Sequence, residues 1–191
     1  MRIIAGKARG RQIEAPEGKN TRPTLDRVRE NLFNILQMRI RGAAVLDLFA
    51  GSGALSLEAI SRGAAKAVLC DIDRSANRIQ HRNAESLGFS GQTEILLCDW
   101  KKAVRLLEER GEVFDLIFLD PPYRMTDLTE VAAALEGLLA EDGLVIVEHE
   151  AKQEVSFGTG FEKTDERKWG FCGMSFYRKT AADAKETEEN E

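Results

Sequence analysis

AAVLDLFAGSGALSLEAI, running from Ala43 to Ile60, is the stretch that sets the architecture of this chain. Its first part, Ala43–Phe49, is a short apolar run rich in branched side chains, the length of a buried strand. Gly51 and Gly53 follow, and glycine lets a backbone turn sharply or approach a ligand with no Cβ in the way. A helical pattern over 54–62 comes next, with Gly63 at its end. The same alternation repeats downstream. AVLCDI (67–72), TEILLC (93–98), FDLIFLD (114–120) and LVIVEHE (144–150) read as strands, and helical patterns occupy 75–87, 100–110 and 127–140. Strands this apolar, separated by helices, imply a parallel sheet covered on both faces. Right-handed crossovers then give a doubly wound α/β domain.

Beyond Glu150 the alternation stops. Residues 161–168 and 174–179 read as two strands joined by the Gly-containing loop 169–173, an antiparallel hairpin that finishes the sheet. Upstream, Leu25, Val28, Leu32, Ile35 and Leu36 are spaced as on a helix, bounded by Pro23-Thr24 and Gly42. Before it lies a basic, Gly-rich segment in which Ile3 and Ile4 start a short strand. Three sections result: a basic arm and helix (1–41), the α/β domain (42–180) and an acidic tail (181–191) expected to be disordered.

Composition narrows the function. With 43% hydrophobic and 31% charged residues over 191 positions, the chain is expected to be an ordinary globular protein with a full core. Cys70, Cys98 and Cys172 are odd in number and dispersed, and the only histidines are His81 and His149, which argues against a disulfide framework and a structural zinc site. No metal is expected. The first residues lack the apolar stretch of a signal peptide, and no run of 18 apolar residues occurs, so a cytoplasmic protein without a membrane partner is expected, a monomer. The net charge of −5 conceals an asymmetry: residues 1–41 carry ten Lys or Arg against four acids, +6, leaving −11 for the rest. That local surplus points to nucleic-acid phosphate, with Lys7, Arg9, Arg11, Arg22, Arg27 and Arg29 as the expected contacts.

In doubly wound sheets, ligands bind outside the carboxyl ends of the strands. The first strand ends in Asp47-Leu-Phe-Ala-Gly51-Ser-Gly53, the second in Asp71-Ile72, and the third in Cys98-Asp99-Trp100. An acid at the second strand end can accept from both hydroxyls of a ribose, and one at the third can accept from an adenine amino group. Together they describe an adenosine-shaped site formed by Asp47, Phe49, Gly51, Gly53, Asp71, Ile72, Asp99 and Trp100. A dinucleotide would call for GxGxxG, and the third glycine position is Ser56. S-adenosylmethionine has no phosphates and carries a cationic sulfonium, so acid-rich strand ends suit it better.

The fourth strand ends Asp120-Pro121-Pro122-Tyr123, the most specific motif in the chain. Paired prolines fix φ and remove two amide donors, leaving rigidly directed carbonyls. An exocyclic base amine is a weak nucleophile because its lone pair is delocalised into the ring. The Asp120 carboxylate and the Pro121 carbonyl can accept its two N–H groups, and Tyr123 can stack on the base. Asp120, Pro121, Pro122 and Tyr123 are therefore the expected catalytic group. His81 is expected at the surface, and His149 is given no role.

The chain is similar to a known family, the bacterial 16S rRNA guanine-N2 methyltransferases that modify guanine 966. The resemblance runs from Met1 to about Lys179. It rests on Arg2-Ile-Ile-Ala-Gly6-Lys-Ala-Arg-Gly10-Arg11, on Arg22-Pro-Thr-Leu-Asp-Arg-Val-Arg-Glu30-Asn-Leu-Phe33, and on the two strand-end motifs Asp47–Gly53 and Asp120–Tyr123. It implies a seven-stranded class I methyltransferase fold, S-adenosylmethionine as methyl donor and an assembled small-subunit particle as substrate, with the basic N-terminal segment on rRNA. Two other readings stay open: a DNA adenine-N6 methyltransferase, which shares Asp-Pro-Pro-Tyr, and a non-catalytic ribosome-assembly factor. The motif spacing alone does not separate guanine N2 from adenine N6.

Overall fold

Five parallel strands form the centre of the molecule: β1 (Ala44–Asp47), β2 (Lys66–Asp71), β3 (Thr93–Leu97), β4 (Phe114–Leu119) and β5 (Leu139–Glu150). Two antiparallel strands, β6 (Phe161–Trp169) and β7 (Cys172–Lys179), complete a sheet in the order β3-β2-β1-β4-β5-β7-β6. The structure, a computed structural model, describes residues 1–15, 23–122 and 124–180, with backbone alone for 23–25. Arg22, Tyr123 and the acidic tail 181–191 lie outside the described residues.

Neighbouring residues on a strand face opposite sides of the sheet, and here both sides are apolar. Val45, Leu69, Leu116 and Phe118 face α1 (Pro23–Ile40), α2 (Ala54–Ser61) and α3 (Arg74–Leu87). Leu46, Val68, Ile117 and Leu119 face α4 (Trp100–Glu109) and α5 (Thr129–Leu135). Each such fully buried side chain contributes about 1.5–3 kcal/mol of transfer free energy. Phe33 of α1 meets Phe118 of β4 with ring centroids 6.0 Å apart, so the helix before the first strand belongs to the main core.

The N-terminal arm is a small hairpin. Ile3 N–H donates to the Arg11 carbonyl at 2.9 Å, Gly10 N–H to the Ile3 carbonyl at 2.8 Å, and Ile13 N–H to the Met1 carbonyl at 3.0 Å. The strand expected at Ile3–Ile4 reduces to a single bridge, Arg2 with Gln12, because a 3-10 turn at Gly6–Ala8 ends the pairing after a few residues. Ile3, Ala8 and Ile13 are buried in the core that holds α1 and α2. A fully buried acid of α2 anchors the arm: Glu58 accepts from Ile4 N–H at 2.7 Å, from Ala5 N–H at 2.9 Å and from Arg62 Nε at 2.7 Å. Gly6 lies so near α2 that a Cβ there would fall 1.9 Å from the Ser61 carbonyl oxygen. No side chain fits that approach.

Two boundaries differ from the expectation. The helix read over 127–140 stops at Leu135, because Leu139 pairs with Phe114 and the backbone passes into β5. Leu135, Leu138 and Leu139 all enter the same core, which is why their spacing looks helical. The loop read as 169–173 contracts to Gly170-Phe171, since Trp169 and Cys172 pair directly. β6 forms one edge of the sheet, and its exposed Lys163, Lys168 and Arg167 are paired with Glu166, Glu166 and Asp165 at 2.7, 2.8 and 2.9 Å. Among the described residues no helix is long and apolar enough to cross a membrane.

Candidate active site

After β3 the chain crosses back over β1 to form β4, so strand order reverses between β1 and β4. Ligands in doubly wound sheets bind at this reversal. A cavity of about 730 Å³ opens there, and its wall takes in Asp47, Phe49, Gly51, Asp71, Ile72, Asp99 and Trp100 together with Asp120, Pro121 and Pro122. The expected cofactor wall and the described part of the expected catalytic corner thus share one space. Gly53 stays behind the wall: it holds φ 79° at the start of α2, and a Cβ there would meet Leu69 Cδ2 at 2.7 Å. It serves close helix–strand packing.

Asp47 is buried at 1% exposure, and its Oδ2 accepts from Ser56 Oγ at 3.0 Å. Ser56 therefore has its own task at the position where a dinucleotide fingerprint has glycine. Asp47 Oδ1 has no hydrogen-bond partner among the described residues. Burial, with Asp120 and Asp71 adding repulsion, raises the Asp47 carboxyl to about 7, against the help of Ser56. Such an acid favours the folded chain in its neutral form. The associated stability is fully present below the ordinary value near 3.8 and is lost as pH rises through 7. Asp47→Asn keeps an acceptor for Ser56 without the charge. It is expected to melt about 5 °C above the parent at pH 8, with the gap closing toward pH 4. Calorimetric melting across that range checks this, and a gap independent of pH would refute the buried charge.

Asp71 has a task beyond the expected ribose contact. Its Oδ2 accepts from Gly51 N–H at 2.8 Å and its Oδ1 from Asp73 N–H at 2.9 Å, which fixes the glycine loop. A carboxylate has about four lone-pair sites, so acceptor capacity remains for a ligand. Asp99 caps α4 by accepting from Lys102 N–H at 3.0 Å, and Trp100 beside it is half-buried against the second core. At the fourth strand end, Met125 N–H donates to the Pro122 carbonyl at 2.7 Å and closes the turn after the prolines. Pro121 is buried and Pro122 exposed.

Several contributors escape the sequence reading. Glu148, at the end of β5, and Met174, its register partner on β7, also line the cavity. Glu148 follows the same rule as the other acids, standing directly after the apolar run Leu144–Val147 of a parallel strand, so that signal was present. Gln80 of α3 donates to the Gly51 carbonyl at 2.9 Å. Asn83 donates to the Ser52 and Glu14 carbonyls, each at 3.0 Å, and accepts from Glu14 N–H at 2.8 Å, so one amide joins the glycine loop to the arm. His149 is buried, with Nδ1 2.9 Å from the Glu150 carbonyl and Nε2 2.9 Å from Ser175 Oγ, which gives it a structural place. His81 is exposed, as expected.

The basic residues separate into two groups. Lys7 donates to Gln92 Oε1 at 2.6 Å, in the turn beyond α3, and Arg11 to the Ser86 carbonyl, in the last turn of α3. Ser86 lies about 15 Å along that helix from Ala76, which lines the cavity. Arg9 and Arg27 are exposed. Arg29 departs from its expected place on a solvated, phosphate-facing surface. It is 6% exposed and lines the cavity, because its turn of α1 faces the sheet, and it donates to Asp26 Oδ1 at 3.0 Å and to the Arg2 carbonyl.

Comparison with known proteins agrees with this geometry. A family model described as conserved hypothetical protein 95 matches residues 1–178. The chain is 34% identical over 182 residues to "Putative rRNA methyltransferase YlbH" of Bacillus subtilis, covering 94% of this chain and 99% of that protein. It is 42% identical over 154 residues to "Ribosomal RNA small subunit methyltransferase D" of Escherichia coli K12, covering 80% and 76%. Among solved structures, "Putative methyltransferase yhhF from Escherichia coli" superposes with a TM-score of 0.78 at 38% identity, covering 94% and 97%. The chain belongs to the conserved hypothetical protein 95 family and has the class I S-adenosylmethionine-dependent methyltransferase fold.

Proposed function

We propose that this protein transfers a methyl group from S-adenosylmethionine to the exocyclic N2 of a guanine in small-subunit ribosomal RNA, the guanine at position 966. The observation that carries the proposal is the shared cavity: Asp120, Pro121 and Pro122 face the same space as Asp47, Asp71 and Asp99. The names of the relatives support rRNA as the substrate class.

The residues present fit the donor. Asp47 Oδ1, buried and without a partner among the described residues, suits an ammonium group, and Asp71 and Asp99 suit ribose hydroxyls and an adenine amine. When bound, S-adenosylmethionine supplies a methyl carbon on a cationic sulfur. The chain itself orients the nucleophile. The Asp120 carboxylate and the Pro121 carbonyl accept the two N–H groups of the base amine, which holds it in one plane and turns its lone pair toward the donor side. Positioning of this kind accounts for much of the rate in a displacement reaction. Once nitrogen has gained its new bond its excess proton is acidic, and it passes to Asp120 or to water. The Pro122–Met125 turn keeps the acceptors fixed while this happens.

The test uses ribosomal particles from cells lacking this protein, incubated with labelled donor, and mass spectrometry of the released nucleosides. N2-methylguanosine at a single site is expected; N6-methyladenosine, or no product, would overturn the assignment. We further assign Lys7, Arg9 and Arg11 to rRNA phosphate. Lys7 and Arg11 sit by the end of α3 that points away from the cavity, so they would grip the RNA apart from the target nucleotide, which favours folded rRNA in an assembled particle over a short strand. Replacing all three with alanine is expected to reduce the log–log salt slope of binding by about 0.7–0.9 per lost contact. A slope equal to that of the parent would remove the arm from the interface.

A further inference from the structure

We infer that Phe171, at the tip of the β6–β7 hairpin, stacks on an RNA base beside the target nucleotide and so seats the substrate over the diproline corner. The inference rests on the rRNA reading made above and deepens it with a contact outside both the donor site and the basic arm.

The turn itself does not call for a ring. Trp169 and Cys172 pair directly, so Gly170 and Phe171 form a two-residue connection. Gly170 takes φ 63°, and among the described residues only glycines take a positive φ. This is the type II′ pattern, which needs glycine at its first central position and leaves the second free. Polar residues usually fill that second place. Here it holds a phenylalanine that is 88% exposed, the one strongly exposed aromatic among the described residues.

Register places this ring at the rim of the cavity. Leu119 pairs with Val147, and Val147 with Ser175. The next residues, Asp120, Glu148 and Met174, therefore share one level, and all three line the cavity. Beyond that level β5 and β7 stay paired through His149–Gly173 and Glu150–Cys172. The turn thus rises three residues above Met174, about 10 Å at about 3.3 Å per residue. A base held at Asp120 has its neighbours in the RNA strand passing this rim.

The platform is stiff. Ala151 N–H donates to the Phe171 carbonyl at 2.9 Å, tying the tip to the turn after β5. Trp169 packs against the first core. The His149 ring lies so close to the hairpin that a Cβ on Gly173 would meet its Cε1 at 2.5 Å, and that ring is held between the Glu150 carbonyl and Ser175 Oγ. A contact that is already ordered loses little entropy on binding.

The surroundings select the occupant. Arg124, two residues beyond Pro122, and Lys152, beside Ala151, are exposed and have no hydrogen bond or ion pair among the described residues. A ring with free cations on the adjoining loops suits a nucleobase joined to its phosphates. Glu150 and Glu154 are exposed in the same stretch, so the rim is no general anion trap, and the ring is left as the main source of affinity. With Lys168, Glu150 and Lys152 all exposed nearby, the ring is not part of a broad apolar patch of the kind a protein partner covers.

The experiment is steady-state methyl transfer by the full chain to small-subunit particles from cells lacking this protein. Phe171→Ala is expected to raise KM for the particles about 10–30-fold with kcat within about 2-fold, because a flanking stack is made equally before and during transfer. Calorimetry should show unchanged affinity for S-adenosylhomocysteine, and the melting temperature should match the parent. Phe171→Trp should restore KM, whereas Phe171→Leu, which keeps apolar bulk without a ring face, should stay with alanine. A parental KM in Phe171→Ala, or a lower kcat at unchanged KM, overturns the stack. Leucine serving as well as phenylalanine would assign the contact to a ribosomal protein, and an altered oligomeric state by light scattering would assign it to a second copy; either overturns the proposal. No transfer by the parent to these particles overturns the rRNA reading and this inference with it.

Discussion

Asp120→Ala is expected to lower the single-turnover rate of methyl transfer by about 10²–10³-fold, the usual cost of deleting one preorganised polar contact to a reacting group. Donor affinity should stay within a few-fold, because Asp71, Asp99 and Asp47 remain. Asp120→Asn keeps an acceptor oxygen and removes only the charge, so its rate should fall between the two. Quench-flow with labelled donor measures the rate, and calorimetry the affinity. A second readout tests geometry without chemistry: Asp120 helps to raise the Asp47 carboxyl, so the alanine variant should titrate Asp47 at lower pH. Unchanged turnover would remove Asp120 from the reacting centre.

The largest expected effect on stability lies at the buried acid of α2. Glu58→Ala removes the acceptor of Ile4 N–H, Ala5 N–H and Arg62 Nε at once, at a residue with no solvent exposure. Breaking a buried charged network by deleting one partner costs about 3–5 kcal/mol, which for a chain of this size lowers the melting temperature by about 10 °C. Ser61 still holds the arm, accepting from Ala8 N–H at 3.0 Å and donating to the Ala5 carbonyl at 2.6 Å, so the loss should be partial. Hydrogen exchange should quicken at Ile3, Ile4 and Ala5 before the rest of the sheet responds. Glu58→Gln, which can serve one amide, should lose less. A melting temperature equal to that of the parent would show that the arm is held by its apolar contacts alone.

The sheet was legible because parallel strands covered on both faces must be apolar at successive positions, as Val45-Leu46 and Ile117-Phe118 are. Asp47, Asp71, Asp99 and Asp120 were legible for the complementary reason: each ends an apolar run at the edge where such sheets bind ligands. Glu58, Gln80 and Asn83 were not. A polar residue on a helix announces neither its burial nor a partner such as Ala5, 53 positions away from Glu58. Arg29 shows the same limit from the other side. Its neighbours Arg27 and Glu30 are exposed, and only the turn of α1 against the sheet separates it from them. The end of α5 was missed because Leu135, Leu138 and Leu139 are buried whether the backbone coils or extends.

The edge strand β6 has a consequence for behaviour at high concentration. β6 reads Phe-Glu-Lys-Thr-Asp-Glu-Arg-Lys-Trp, and six of those nine side chains are ionic. An outermost strand offers unused backbone hydrogen bonds to any passing extended chain, the start of amyloid-like stacking. A second copy approaching in register would have to set like charges opposite one another and break the pairs centred on Glu166. The irregular step between Lys163 and Asp165 further spoils a flat template. This margin of the sheet is thus a barrier to fibre growth.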